Sequence, residues 1–479
     1  MLRSTKIVAT LGPSSTDSDT LERMLLAGVD VVRLNFSHGS AEDHVSRAEL
    51  VREIGRRTGR TVGIMADLQG PKIRIGRFKD GKITLNKGDE FVLDAECELG
   101  DQTQVGLDYK DLPNDVAQGD VLLLDDGRMV LDVVDVTKRR VYCTVRHGGV
   151  LSNNKGINRK GGGLTAPALT TKDMDDIRTA AMIKVDFLAV SFAKSSADMY
   201  MARQLLRAAG GEAFLIAKIE RAEAVEPGAL EDIMSACDGI MVARGDLAVE
   251  VGDASVPALQ KRMIRMAREH NKLTITATQM MESMVASPVP TRAEVSDVAN
   301  AVLDGTDAVM LSAETASGLY PVETVLSMSR ICVEAENSAP VTLDREFLDR
   351  VFTRVDQSIA MAALFTAYHL KVKAIAALTE SGSTALWMSR LNCGVPIYAL
   401  TTRTATRYRC ALLRDTYPLM VSYAGSDREE LLEEAENVLL RSGLVQPGDL
   451  IVLTIGEPIG KSGGTNTMKI VKVGENRRA

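Results

Sequence analysis

Short, nearly uninterrupted apolar runs recur along the first two thirds of the chain: TKIVATLG from Thr5, VDVVRLNFS from Val29, TVGIMADL from Thr61 and DFLAVSF from Asp186. Four more follow, FLIAKIE from Phe214, GIMVARGD from Gly239, LTITATQM from Leu273 and DAVMLSAE from Asp307. Amphipathic segments of about 12 to 18 residues separate most of them. A strand apolar on both faces needs cover on both, which predicts a parallel sheet wrapped by helices. Eight such units predict a closed (β/α)₈ barrel. Helix signals agree locally: Thr291 precedes Glu294 by three residues as a capping box, Gly305 follows a last periodic residue, and Pro321 stands where a first turn should begin.

One connection breaks the rhythm. About 100 residues lie between MADL and the helical pattern near Lys172, far beyond an ordinary βα loop. They carry their own β-type runs, KIRIGRF, KITLNKGDEFVLDA, DVLLLDDGRMVLDVVDV and RRVYCTVRHGG, punctuated by Gly-Asp and Asp-Gly turns. This predicts a small inserted β-barrel emerging from the C-terminal face of the larger barrel, placed to act as a lid that excludes water. Its glycine-rich exit, GGVLSNNKGINRKGGG, suits a hinge. After about Asn337 the pattern changes, and the helical segment VDQSIAMAALFTAYHL opens a second α/β series with strands KAIAALT, PIYALTT, YPLMVSY, DLIVLTIG and TNTMKIVKV. The expected organisation is a catalytic barrel over residues 1–70 and 167–345, a lid over 71–166 and a doubly wound C-terminal α/β domain over 346–479.

Composition narrows the function only by exclusion. The 479 residues carry a net charge of −7 and 4% aromatic residues, which argues against nucleic-acid binding while leaving room for a focused basic pocket. The start, MLRSTKIVATLGP, lacks a signal-type apolar core, and no apolar run reaches membrane-spanning length, so a cytoplasmic protein is expected. Six scattered cysteines without a CxxC pair fit reduced thiols.

The chemistry gathers where barrel strands end. Arg33, Asn35, Ser37, Asp67, Lys218, Glu220, Asp246, Thr278 and Ser312 all fall at or just past those ends, the face on which barrel active sites are built. Lys218 and Glu220, two residues apart, leave their strand on one face, and Asp246 ends the next segment in the same way. Two carboxylates with few soft ligands suit a hard cation such as Mg²⁺, or Mn²⁺ in its place, and a lysine beside them suggests phosphoryl chemistry. The same residues also suit a structural Lys/Glu pair with a loop aspartate; the wider set decides. In the last domain, Ser381, Gly382, Ser383 and Thr384 stand at a strand-to-helix turn that suits either a phosphate cradle or an ordinary helix cap. The glycine-rich loop IGEPIGKSGGTN is expected to fold over the same pocket.

Taken together, VRLNFSHG, MADLQGPKIR, AKIERAEAV, MVARGDL, ITATQMMESM and MLSAET resemble the pyruvate kinase family, bacterial type, across all three expected domains. The resemblance implies transfer of the phosphoryl group of phosphoenolpyruvate to ADP, giving pyruvate and ATP. It implies that Glu220 and Asp246 hold the divalent metal, that Lys218 faces the phosphoryl in flight, and that Arg33 clamps the substrate phosphate. The backbone of Ala243, Arg244 and Gly245 would receive the substrate carboxylate, with Asp246 and Thr278 beside it. Thr278 and Ser312 would support proton delivery to the enolate through water. Asn35, His38, Arg74 and Lys155 would grip the nucleotide phosphates. A homotetramer also follows from the likeness, while the cradle at Ser381–Thr384 and its glycine-rich loop, which offers only Lys461, predict an activator that is a phosphorylated sugar or a nucleotide monophosphate, with a monophosphate favoured.

This chain departs from the family at Lys72. Animal muscle enzymes carry Glu there and need K⁺, held by residues matching Asn35, Ser37, Asp67 and the carbonyl of Leu68. A lysine puts a cation where the anion would sit, so K⁺ is expected to be dispensable. Two other classes share parts of the pattern. A barrel for carbon–carbon chemistry on an enolate would use a similar metal pair without the lid or Lys155, and a sugar-phosphate sensor would keep the last domain without Lys218, Glu220, Asp246 and Thr278.

Overall fold

The computed structural model describes residues 2–339, 351–423, 425 and 427–475. Eight parallel strands close into a ring: β1 (Lys6–Leu11), β2 (Val31–Asn35), β3 (Gly63–Asp67), β4 (Phe187–Val190), β5 (Phe214–Ile219), β6 (Gly239–Ala243), β7 (Leu273–Ala277) and β8 (Ala308–Leu311). Each is the predicted run, shortened to its apolar part. Consecutive strands are neighbours, and β1 pairs with both β2 and β8, which closes the barrel. Side chains from alternate positions fill two separate cores, as strands covered on both faces require. Ile7 and Ala9 pack outward against the helices, whereas Val8, Met65, Phe187, Ile216, Met241 and Ile275 fill the interior.

The helix signals are realised as read. Thr291 and Glu294 form a reciprocal capping box on the helix Arg292–Leu303, Gly305 follows it at φ 89°, and Pro321 starts the helix Pro321–Ser338. Asp246 is a correction. The strand stops at Ala243 and a helix, Arg244–Val251, begins at once, so Asp246 sits in a first helical turn and does not end an extended segment. The run GIMVARGD read as one element because its apolar character continues past the point where the backbone turns.

The insert wraps one apolar core in three sheets. Its main sheet has six strands, with Val121–Leu124, Met129–Val136, Arg140–His147 and Glu90–Asp94 in the middle, and two two-stranded sheets complete it. The ladders do not join into one hydrogen-bonded ring, because several strands span only two residues and Met129–Val136 pairs with register shifts. The last unit carries five strands, β9 (Ala374–Leu378), β10 (Ile397–Thr401), β11 (Thr416–Met420), β12 (Leu450–Gly456) and β13 (Thr465–Lys472), in the order β11-β10-β9-β12-β13 with only β13 antiparallel. Ala374, Ala376 and Leu378 face one core and Ile375 and Ala377 the other, the signature of a sheet covered on both sides. The expected boundary at residue 345/346 lies outside the described residues.

This last unit is seated on the base of the barrel. Ala385, Ala399, Cys410, Leu412 and Leu413 join the interior core formed by β1 to β8. Around that apolar contact Arg390 forms a forked ion pair with Asp307, its Nη1 donating to Oδ2 at 3.0 Å, with both side chains at most 2% exposed. Lys6 donates to the carbonyl of Thr416 at 2.6 Å. All six cysteines are free thiols, five of them buried. Among the described residues no helix is long and apolar enough to cross a membrane.

Candidate active site

The mouth of the barrel holds a chain of alternating charges on neighbouring strands. Arg33 on β2 donates through Nε to Asp67 Oδ2 on β3 at 2.6 Å and through Nη1 to Thr10 Oγ1 on β1 at 3.0 Å. Lys218 on β5 places its ammonium 3.2 Å from Asp67 Oδ1 and 2.9 Å from Glu220 Oε1. The two-residue spacing therefore does bring Lys218 and Glu220 together. Burial favours the neutral form of Asp67, but Arg33 and Lys218 outweigh it and hold its carboxyl below the usual range. Burial opposes the charge on Lys218 as well, yet Asp67 and Glu220 more than offset that and keep it a firm ammonium. For Glu220 burial wins: its carboxyl is pushed up, Lys218 resists, and the nearby negative charge of Asp246 adds to the rise.

Across the mouth, the helix Arg244–Val251 and the loop after β7 form the second wall. Arg244 is buried and works through its side chain as well as its backbone. Its guanidinium donates to the carbonyls of Thr278 at 2.7 Å and Gln279 at 3.1 Å, and to Asp297 Oδ2 at 2.6 Å. These bonds hold Thr278 and Gln279 at φ 66° and 52°, a conformation that a β-branched residue rarely adopts and that clusters at functional sites. The Thr278 hydroxyl donates to the carbonyl of Ala277 and accepts the N–H of Gly245 at 2.8 Å, so one of the backbone donors expected to face a carboxylate already has a partner. Ser312 follows β8 with its Oγ buried and without a protein partner, while its N–H donates to Glu314 at 2.6 Å.

Other expected residues lie on the lid or beside it. Lys72 does not point into solvent: its ammonium is 3.4 Å from Asp246 Oδ1 and 3.6 Å from Asp126 Oδ1, spanning barrel and lid. Burial opposes its charge, and Asp246 and Asp126 restore it, raising it above the ordinary lysine range. A cleft of about 560 Å³ opens there, lined by Lys72, Asp126, Lys160, Gly245, Asp246 and Gln279. Arg74 donates to the carbonyl of Asn154 at 3.0 Å, and Lys155 pairs with Asp125 at 2.7 Å, so both cations are engaged within the lid. His38 is exposed on the loop after β2. Three of the four residues suggested for K⁺ have an oxygen that accepts a protein hydrogen bond: Asn35 Oδ1 takes the N–H of Ser37 at 3.1 Å, Asp67 Oδ2 takes Arg33, and the Leu68 carbonyl takes the hydroxyl of Ser191 at 2.7 Å.

Several functional contacts escaped the sequence reading. Ser191, immediately after β4, touches Lys218 and Leu68; it lay inside the quoted run DFLAVSF and was legible only as one more polar residue past a strand end. The segment leading out of the lid is moored to the barrel. Glu250 accepts the N–H of Ala222 at 2.8 Å and the amide of Asn158 at 3.3 Å, Glu223 accepts the N–H of Gly163, and Arg221 donates to the carbonyl of Leu164 at 3.0 Å. Nothing in their spacing marked these residues as partners of a segment some 60 to 90 positions away.

A divalent cation fits this donor set. Among the described residues no three His, Cys, Asp or Glu side chains form a closed cage. Glu220 and Asp246 nonetheless bring two carboxylates to one mouth, and the Glu220 carboxyl, raised by burial and by the charge of Asp246, carries an electrostatic cost that a hard cation would relieve. Two protein ligands leave positions open for water and substrate oxygens.

In the last unit, a cavity of about 250 Å³ is lined by Ser383, Thr384, Thr402, Tyr423, Lys461 and Gly463. The strand-to-helix turn and the glycine-rich loop therefore meet over one space. Thr384 and Thr465 share a hydroxyl contact of 2.6 Å, while Ser381 donates to Ser383 at 3.2 Å and Gly382 caps the short helix Ser383–Ser389.

Comparison with known proteins agrees with this geometry. A family model described as "Pyruvate kinase, barrel domain" matches residues 2–325, and one described as "Pyruvate kinase, alpha/beta domain" matches residues 357–471. The chain is 53% identical over 476 residues to pyruvate kinase II of Salmonella typhimurium, covering 98% of this chain and 99% of that protein. It is 53% identical over 461 residues to a pyruvate kinase of Haemophilus influenzae, with 95% and 96% covered. It is 50% identical over 478 residues to one of Buchnera aphidicola subsp. Schizaphis graminum, with 98% and 99% covered.

The mooring of the lid carries a pH dependence. Burial, aided by the charge of Glu223, pushes the Glu250 carboxyl from the ordinary 4.5 up to about 7 against the pull of the Ala222 N–H. The folded state thus holds this proton more tightly than the unfolded chain. The stability it brings is full below about pH 4.5 and is lost as pH rises through about 7, an effect of roughly 3 kcal/mol at most. Glu250→Gln should flatten that decline, so urea denaturation at pH 5 and pH 8 is expected to show a smaller loss for the variant than for the parent. Equal losses would place the titration elsewhere.

Proposed function

The chain belongs to the pyruvate kinase family, a phosphotransferase that moves the phosphoryl group of phosphoenolpyruvate to ADP, and for that reaction we propose the following division of work among its residues. Arg33, fixed by Asp67 and Thr10, orients the substrate phosphate. Glu220 and Asp246 hold the divalent cation, which when bound neutralises charge on the substrate carboxylate and phosphate. Lys218 faces the phosphoryl group as the bond from phosphorus to the enol oxygen breaks and the bond to a β-phosphate oxygen of ADP forms. The observation that carries this reading is a buried ammonium wedged between two carboxylates at the barrel mouth. An ammonium there stabilises the equatorial oxygens of a loose transition state, on which phosphoryl transfer mainly depends.

The electron pair left on oxygen makes an enolate, and its third carbon takes a proton to become pyruvate. Ser312, with a buried hydroxyl that has no protein partner, and Thr278, held in an uncommon conformation by Arg244, support a water that delivers that proton. The helix start at Ala243–Gly245 receives the substrate carboxylate once Gly245 is released from Thr278. Asn35, His38, Arg74 and Lys155 take the nucleotide phosphates, Lys155 leaving Asp125 as the lid adjusts. Cytoplasmic placement and a homotetramer belong to the same reading. Leu26, Val289, Leu303, Leu319 and Leu326, all exposed, offer an apolar surface for assembly.

An assay coupling ADP-dependent pyruvate formation to a reporter tests the whole reading, since neither an enolate lyase nor a sensor would respond to ADP. Within it, Lys218→Met is expected to lower turnover by roughly 10³-fold, because removing one charged transition-state donor costs about 4 kcal/mol. Near-normal ATP production by the variant would remove Lys218 from this role.

Lys72 makes K⁺ dispensable in this proposal. Its ammonium already supplies positive charge beside Asp246, and at an effective dielectric near 20 a charge at about 4 Å is worth about 4 kcal/mol. Activity with Mg²⁺ but without Na⁺ or K⁺ is expected to remain substantial at matched ionic strength, and Lys72→Glu should acquire K⁺ dependence. Collapse of the parent's activity without K⁺ would show that Asn35, Ser37, Asp67 and Leu68 still need the ion.

The cavity between Ser383 and Lys461 is proposed as the seat of a phosphorylated effector, a sugar phosphate or a nucleotide monophosphate. Hydroxyls, backbone N–H groups and a single lysine favour one phosphate over two. Ser383→Glu should abolish activation by setting like charges together. Unchanged activation would move the effector site elsewhere.

A further inference from the structure

Ser191 occupies a singular position among the groups that touch Lys218. Its Oγ lies 2.7 Å from the Lys218 ammonium and 2.7 Å from the Leu68 carbonyl oxygen. An ammonium only donates and a carbonyl only accepts, so the one hydroxyl proton must go to Leu68 and a lone pair must face Lys218. Among the described residues, the contact is the shortest of the three polar contacts that Lys218 makes and the one to an uncharged group. Asp67 and Glu220 hold the ammonium but also cancel its charge. A neutral acceptor fixes its direction and leaves its field available to a phosphoryl group.

The same residue is tied to the lid. Leu68 leads directly into Gly70, whose φ is 67°, and a Cβ built there would lie 2.7 Å from Ser191 Cβ and 2.9 Å from the Phe192 ring. Only glycine lets the segment entering the lid lie this close. Phe192 itself takes φ 55°, unusual for an aromatic residue, and thereby turns its N–H onto Glu220 Oε2 at 2.7 Å. The turn Ser191–Phe192 thus grips both Lys218 and Glu220 while the segment leading into the lid rests upon it through Gly70.

We infer that Ser191 is a positioning residue, which aims the Lys218 ammonium at the transferring phosphoryl group and links that aim to the seating of the segment that enters the lid at Gly70. The inference rests on the role proposed for Lys218. Ser191→Ala is expected to reduce phosphoryl transfer tenfold or more at saturating substrate, with KM for phosphoenolpyruvate within twofold. Metal-dependent exchange of the pyruvate methyl protons, which involves no phosphoryl group, should stay within twofold. Ser191→Cys, nearly isosteric with a weaker acceptor, should fall between parent and Ser191→Ala, and it carries the test if the alanine variant does not fold. Transfer within twofold of the parent would overturn the inference, and so would a parallel fall in transfer and exchange, which marks a merely structural role. Lys218→Met measured alongside separates the two claims: if it retains transfer the role of Lys218 fails, whereas its loss combined with an unaffected Ser191→Ala defeats only the role of Ser191.

Discussion

Desolvated charge at the mouth of the barrel is the constraint from which the rest of the architecture follows. Arg33, Asp67, Lys218 and Glu220 are each at most 11% exposed, and an isolated ion in such a place would cost several kcal/mol. Each persists because its neighbours carry the opposite sign. That requires strands β2, β3, β4 and β5 to stand side by side in register, since the chain of contacts passes from Arg33 to Asp67, then to Lys218 with Ser191 between them. A closed parallel barrel supplies such adjacency, and its helices shield the contacts from water. The site is therefore nearly neutral before ligands arrive, and a phosphorylated carboxylic acid can enter together with a cation that offsets it.

How much of this was legible in the chain depended on the range of the interaction. Eight apolar runs, their order and the polar residues at their ends could be read directly, because strand alternation and burial act over a few residues. The pairing of Lys218 with Glu220 was legible for the same reason. Asp246 was misplaced because apolar content continues from Met241 into a helix, and hydropathy alone does not locate the turn. The side-chain role of Arg244, and Ser191 and Glu250 altogether, went unnoticed because their partners lie some 27 to 92 positions away, and only the closed ring brings them into contact.

The lid illustrates the same distinction. Its existence followed from an overlong connection, and its strands from turn chemistry, but its attachment is a tertiary matter. Two of the moorings, Asn158 to Glu250 and Gly163 to Glu223, reach segments that also carry Asp246 and Glu220. The segment entering the lid rests through Gly70 on Ser191 and Phe192, which touch Lys218 and Glu220. Both ends of the insert therefore act on the groups that would hold metal and phosphate, so displacement of the lid is felt at the metal site as well as at its edge.

The seating of the last unit on the barrel has its own chemical consequence. Val8, Met65, Phe187, Leu412 and Leu413 pack the interior down to the base, each at most 3% exposed, and Arg390 and Asp307 lock the rim of that contact. The barrel is thus a vessel open at one end. Any proton that reaches an enolate near Thr278 must come from solvent admitted at the mouth, beneath the lid, and the spent water must leave by the same door. Hydrogen isotope from bulk solvent would then enter the product at a moment set by lid movement, which makes the timing of label incorporation a clock for the opening of the cleft.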